Sequence, residues 1–183
     1  MADVTFLDAR RISADAETAD VALAMDEDAF RAFYDRTSGA LWGYLSRISG
    51  DRQVADDLLQ EAYYRLLKAN TAFESENHRR NYLYRIATNL VRDSRRRPKP
   101  LFAEAVEMAD IAAPDSHADT ESRQDVRRAL GRMKPRERAL LWLAYANGSS
   151  HAEIADVLGL KTASIKLLLF RARRKLAATL QRG

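Results

Sequence analysis

The chain has 183 residues, 46% of them apolar, and 30 Lys and Arg against 26 Asp and Glu. That is enough apolar material for a packed core in one domain or two small ones, and it excludes a wholly disordered chain. With no cysteine, disulfides, thiolate chemistry and Cys-based zinc sites are excluded, and a reducing compartment suits the composition.

The three histidines, His78, His117 and His151, are far apart in the chain, and none has a partner at metal-ligand spacing. The longest uncharged apolar run, Ala139 to Ala146, is far too short to span a bilayer. The N-terminal "MADVTFLDARRISADAE" lacks the apolar segment of a signal peptide. The expected location is the cytoplasm, with no cofactor, no metal and no membrane insertion.

Charge is unevenly spread. From Ser122 to Gly183 there are 14 Lys and Arg against 4 Asp and Glu, a net of +10. From Leu101 to Glu121 there are 6 acidic residues and no Lys or Arg, a net of −6, while the first 100 residues balance at 16 of each sign. A basic C-terminal module tied through an acidic connector to a neutral N-terminal one suits a polyanion partner for the basic part. A solvated basic surface is the plainer alternative.

Apolar residues recur at helical spacing, so an all-α chain is expected: two small helical domains joined by an acidic linker. The first 22 residues are weakly patterned and read as an N-terminal extension, ahead of a first domain over 23–98. "DEDAFRAFYDRTSGALWGYLSRISGD" predicts two helical stretches, with Asp26, Glu27 and Asp28 favouring a start and Gly50 an end. A further helix is expected from Val54 to about Ala69, and another from about Arg79 to Arg96, stopped by Pro98 and Pro100. Residues 99–121 read as a linker, with one helical turn around "FAEAVEMA". The second domain covers 122–183. Pro135 suits the first turn of a helix, and Asn147-Gly148 ends it.

"DDLLQEAYYRLLKA" sets Asp57, Gln60, Glu61 and Tyr64 at i, i+3, i+4 and i+7, one exposed stripe. An acidic, amide-bearing stripe repels DNA and suits a protein surface or plain solvent. The segment after it interleaves Phe73, Tyr82 and Tyr84 with Arg79, Arg80, Arg85, Arg92, Asn81 and Asn89. Aromatics beside basic groups hold unstacked bases while arginines hold phosphates, although such rings, Tyr84 especially, also serve as core. The cluster Arg95, Arg96, Arg97 and Lys99 reads as a phosphate contact.

"SSHAEIADVLGLKTASIKLLLFRARRKLAATL" carries the sharpest signal. Ser150 and Glu153 form a capping box. Ala155 is small where two helices cross. Gly159 suits the left-handed turn, and Thr162 suits an N-cap. Ile154, Leu158, Leu160 and Ile165 complete a small core. This is a helix-turn-helix by spacing. At 100° per residue, Ile165, Leu169, Ala172 and Leu176 face the core with Leu168 beside them. Leu167 and Phe170 point outward with Arg171 and Arg174. Large apolar groups there touch thymine methyls but make no hydrogen bonds to bases; a protein-docking patch is the alternative.

The ordered blocks "AFRAFYDR", "LSRISGDRQVADDLLQEAYYRLLKA", "NYLYRIATNLVRDSRRR", "MKPRERALLWLAYANGSSHAEIADVLG" and "IKLLLFRARRKL" together resemble bacterial RNA polymerase sigma factors of the small, two-domain extracytoplasmic-function class, over residues 26–98 and 124–180. The resemblance implies that Asp57, Gln60 and Glu61, with Tyr64 on the same stripe, bind core RNA polymerase. It implies that Phe73, His78, Arg79, Asn81, Tyr82, Arg85, Asn89 and Arg92 read and open the minus-ten element of promoter DNA, with Arg95, Arg96 and Arg97 on phosphates. It implies that Thr162, Ser164, Lys166, Leu167, Phe170, Arg171 and Arg174 meet the minus-thirty-five element as duplex. An anti-sigma factor is an implied partner. The family usually has tryptophan where Tyr82 stands, and Ser-Arg and His in place of Leu167-Leu168 and Phe170.

The expected function is therefore a non-enzymatic promoter-specificity subunit. Two rivals stand beside it: a sigma-like mimic that sequesters an anti-sigma factor, and a free-standing helix-turn-helix regulator. The second leaves Asp57, Gln60 and Glu61 without a role.

Overall fold

The computed structural model describes residues 26–69, 71–96 and 120–181. The expected N-terminal extension, Arg97 and residues 99–119 of the expected linker, with its helical turn, lie outside the described residues; residues 120 and 121, also expected as linker, are helical.

Helix α1 (Glu27–Ser49) starts at Asp26, whose carboxylate accepts from the Ala29 N–H at 2.7 Å. It ends at Gly50, which takes φ +80° and donates its N–H to the Ser46 carbonyl. The sequence pattern suggests two helical stretches over this span; the structure has one of 23 residues. Phe33, Thr37, Leu41, Tyr44 and Ile48 recur every three or four positions and are all buried. That unbroken core-facing stripe carries the helix through Gly39 and Gly43.

Asp51 caps α2 (Arg52–Lys68), accepting from the Gln53 and Val54 N–H groups. Helix α3 (Glu76–Arg96) begins one turn earlier than expected, because the Ser75 hydroxyl caps it by accepting from the His78 N–H at 3.1 Å. After the undescribed connector come α4 (Thr120–Gly131) and α5 (Pro135–Leu141), which runs on into a π-helical turn over Trp142–Ala146. Helix α6 (His151–Leu158) carries the expected capping box of Ser150 and Glu153 and ends at Gly159, φ +65°. Helix α7 (Thr162–Leu180) is capped by the extended backbone of Lys161, so Thr162 is its first residue and not its N-cap. No strand is present among the described residues.

Helices α1, α2 and α3 pack on one another; α4, α5 and α6 each pack on α7 or its neighbours. The two sets also touch, α3 against α6 and α1 against α5. One continuous apolar core results. It runs from Phe33, Tyr44 and Tyr63 through Leu83 and Tyr84 to Leu143, Ile154, Val157 and Ile165. Full burial of each large side chain contributes roughly 1.5–3 kcal/mol.

Two hydroxyl clips satisfy polar groups inside this core. The Thr88 hydroxyl donates to the Tyr84 carbonyl at 2.7 Å, so the Tyr44 hydroxyl, also 2.7 Å away, donates to Thr88. Likewise the Thr37 hydroxyl donates to the Phe33 carbonyl, and the Tyr63 hydroxyl donates to Thr37 at 2.6 Å. Burial pushes both phenols above their ordinary range, Tyr63 to about 12. The clips tie α1 to α3 and α1 to α2.

Candidate nucleic-acid interface

On α2, Leu66 and Ala62 turn into the core and the opposite face is left to solvent. Asp57, Gln60 and Tyr64 are exposed there. Glu61 is half-buried and pairs with Arg65 one turn on, at 2.7 Å. The Lys68 ammonium lies 4.5 Å from the Tyr64 ring centre. Leu67, 52% exposed, extends this face next to Tyr64, an apolar addition that the acidic pattern does not announce.

The segment entering α3 builds a stack. The Phe73 ring lies 5.4 Å from Tyr82 and 5.8 Å from His78. Arg79 covers Phe73 at 5.4 Å and Arg85 covers Tyr82 at 4.8 Å. Alternating rings and guanidinium planes, with Tyr82 only partly buried, offer flat faces to an unstacked base and charge to its phosphate. Tyr84, two residues beyond Tyr82, is in the core.

Further along α3 several of the expected DNA-facing groups are engaged within the chain. Asn81 is only 7% exposed, and its amide donates to the Glu153 carboxylate at 2.9 Å. Asn77 donates to the same carboxylate. Arg85 pairs with Asp156 at 3.1 Å, and Arg92 reaches the Leu158 carbonyl at 3.4 Å and Asn89 at 3.3 Å. Arg95 donates to the Ile48 and Ser49 carbonyls at 2.9 and 3.2 Å, closing the C-terminal end of α1. Burial lowers its pKa. Arg96 has no side-chain partner among the described residues and stays exposed.

Between the end of α3 and the start of α5 is a cleft of about 590 Å³. Arg92, Arg95, Arg96, Lys134 and Arg136 line it, with no carboxylate among the described residues. On α7, Ile165, Leu169 and Ala172 are buried as the helical angles require. Thr162, Ser164, Lys166, Arg171 and Arg174 are exposed, as are Leu167 at 51% and Phe170 at 48%. Arg174 lies 5.8 Å from the Phe170 ring centre. Lys175 instead turns inward to Glu137 at 2.6 Å. Three basic surfaces therefore face solvent: the α3 stack, the cleft and the outer face of α7.

Glu153 does more than cap. Hydrogen bonds from Asn81, from the Ser150 N–H and hydroxyl, and from Asn77 hold its carboxyl at about 2, against 4.5 ordinarily, with burial opposing. A depressed carboxylate stabilises the fold above its unfolded pKa, and the contribution is lost as pH falls through the folded value. The melting-temperature gap between the native chain and Glu153→Gln should hold steady above about pH 5 and close as pH falls towards about 2. A gap that is unchanged down to that pH would contradict the hydrogen bonds assigned to Glu153.

The sigma-70 region 2 family matches residues 33–99, and sigma-70 region 4 matches residues 123–176. The chain is 30% identical over 167 residues to the ECF RNA polymerase sigma factor SigL of Mycobacterium tuberculosis, covering 87% of this chain and 93% of that one. It is 30% identical over 184 residues to the ECF RNA polymerase sigma factor BldN of Streptomyces coelicolor, covering 93% of this chain and 70% of BldN. Among solved structures, CnrH in complex with the cytosolic domain of CnrY superposes with a TM-score of 0.64 at 27% identity, covering 90% of this chain and 95% of that one. The fold is also that of the sigma factor RpoE in its complex with the anti-sigma factor NepR from Bartonella quintana, at a TM-score of 0.66 and 22% identity over 83% of this chain and 96% of that one. With both sigma-70 regions present in order and SigL matched at 30% identity over 93% of its length, the chain belongs to the extracytoplasmic-function class of RNA polymerase sigma factors.

Proposed function

We propose that this sigma factor binds core RNA polymerase through the outer face of α2 and carries it to promoters through two separate DNA surfaces. The observation that carries the reading is the ring–guanidinium stack of Phe73, Tyr82, Arg79 and Arg85. It is a surface for melted bases, set on a helix whose neighbour α2 presents carboxylates on its outer face. Asp57, Gln60, Glu61 and Tyr64, with Leu67, would meet the polymerase. Phe73, His78, Arg79, Asn81, Tyr82, Arg85 and Asn89 would meet the opened minus-ten strand, with Arg92, Arg95, Arg96 and Arg97 on phosphates. Thr162, Ser164, Lys166, Arg171 and Arg174 would meet the minus-thirty-five duplex.

In this reading the protein is not an enzyme, and phosphodiester chemistry belongs to the polymerase. No described helix is long and apolar enough to cross a membrane, and we place the activity in the cytoplasm, with the polymerase. The domain limits follow the same division: residues 23–98 for the polymerase and the minus-ten element, 122–183 for the minus-thirty-five element, and 99–121 as the connector.

Leu167 and Phe170 remain exposed while the two sets of helices are in contact, so the N-terminal helices do not cover them. We assign them to an anti-sigma factor. The partner seen with CnrH supports a protein occupant, and thymine methyls would bury only part of two such side chains. Each could add about 1.5–3 kcal/mol on full burial.

Two measurements test these assignments. In a competition titration with core polymerase, Glu61→Lys should weaken binding by about 1–3 kcal/mol, roughly 5- to 150-fold, with the helical circular dichroism unchanged. Unchanged affinity would remove the α2 face from the interface. The double variant Leu167→Ser/Phe170→His should lose affinity for the anti-sigma partner and keep, or gain, affinity for minus-thirty-five duplex in a gel shift. Loss of duplex binding with the partner retained would make both residues base readers.

A further inference from the structure

The cleft between the end of α3 and the start of α5 gathers positive charge from both helices. Arg92, Arg95 and Arg96 come from α3, Lys134 and Arg136 from the entry to α5, and no carboxylate of the described residues lines it. Glu137, the one carboxylate of α5, is already engaged by the Lys175 ammonium and the Lys134 N–H. Asp93 on α3 lies about 200° round the helix from Arg95 and does not line the cleft. Arg96 and Arg136 are exposed, with no side-chain partner among the described residues.

The crowding continues at Ile48, which lines the cleft. Its carbonyl accepts from both Arg95 and Arg138, at 2.9 and 3.4 Å. Arg138 is 8% exposed, and its Nε has no hydrogen-bond partner among the described residues. Burial lowers the pKa of both guanidinium groups, and the charge of Arg95 adds to the effect on Arg138. These cations are held where their charge is costly, and an anion beside them offsets that cost.

The floor of the cleft has another character. Val91, Ala139 and Leu158 line it and are buried, with Leu160 partly buried beside them. The volume of about 590 Å³ falls within the roughly 300–1,000 Å³ of small-molecule sites. A DNA duplex would bring phosphates to the rim and nothing to this floor, because its bases are paired inside. A single strand carries one phosphate for each base. Five cations around one small cavity with an apolar floor suit several phosphates on one ring, held by charge-assisted hydrogen bonds.

We propose that this cleft binds a free nucleoside polyphosphate, its phosphates held by Arg95, Arg96, Lys134 and Arg136 and its base laid against Val91, Ala139 and Leu158. The site does not depend on the promoter reading. With no carboxylate of the described residues there to share a metal ion, the metal-free nucleotide is the preferred form.

The test is isothermal titration calorimetry of the full chain with metal-free ATP, near physiological ionic strength. ATP should bind one to one, and excess Mg²⁺ should weaken it. Methyl triphosphate, which has the same charge and no base, should bind at least about 10-fold more weakly. Arg96→Ala/Arg136→Ala should cost about 10- to 100-fold in ATP affinity. Arg132→Ala/Arg173→Ala removes two exposed charges outside the cleft and should cost less than about 3-fold. Equal losses from the two pairs would show only general attraction to a basic protein and would overturn the site. Methyl triphosphate binding as tightly as ATP would overturn the nucleoside assignment. Affinity lost with Tyr82→Ala and kept with Arg96→Ala/Arg136→Ala would place the nucleotide on the α3 stack and contradict the cleft. A chain that binds no ATP would also end the proposal, and would leave the promoter reading standing.

Discussion

One apolar core, shared by both halves of the chain, is the constraint on which the other features depend. Tyr44, Leu83 and Tyr84 from the first three helices and Leu143, Ile154 and Ile165 from the C-terminal half are buried in a single contiguous cluster. Each proposed binding surface is the outward side of a helix whose inward side is held by buried apolar residues. Helix α2 shows acid outward because Ala62 and Leu66 point in; α7 shows Leu167 and Phe170 outward because Ile165 and Leu169 point into the core and Ala172 into a smaller cluster with Met133 and Leu141.

The polar contacts around the core divide by sign. Along one end of the junction, carboxylates of α6 face amides and guanidinium groups of α3. At the other end every charged side chain lining the cleft, among the described residues, is a cation, and Arg95 and Arg138 converge on the same Ile48 carbonyl. Arg138 is buried, and burial together with the charge of Arg95 lowers its pKa. Like charges that approach from the two halves weaken the contact between them at that end. The core and the carboxylate end hold the halves together.

What can be read from the sequence is local. The capping box at Ser150 and Glu153, the left-handed glycines Gly50 and Gly159, and the outward angle of Leu167 and Phe170 each follow from a few neighbouring residues, and the structure has them. Gly39 and Gly43 suggest a break in α1 because helix propensity is summed locally; burial of the stripe from Phe33 to Ile48 outweighs it. Asn81 has the same chemistry whether it faces DNA or Glu153, and only the tertiary contact distinguishes the two. Glu153 has one duty visible in the sequence, as a cap, because Asn77 and Asn81 lie more than seventy positions away.

If two surfaces on one chain bring polymerase to a promoter, run-off transcription with core RNA polymerase on fragments of the source genome tests it most directly. Discrete start sites should appear only when the chain is added. They should disappear both with Glu61→Lys, which uncouples the polymerase, and with Arg85→Ala/Arg92→Ala, which uncouples the DNA. A chain that binds core polymerase and yields no start site above core alone would contradict this, and would favour a sigma-like mimic whose purpose is to occupy an anti-sigma factor.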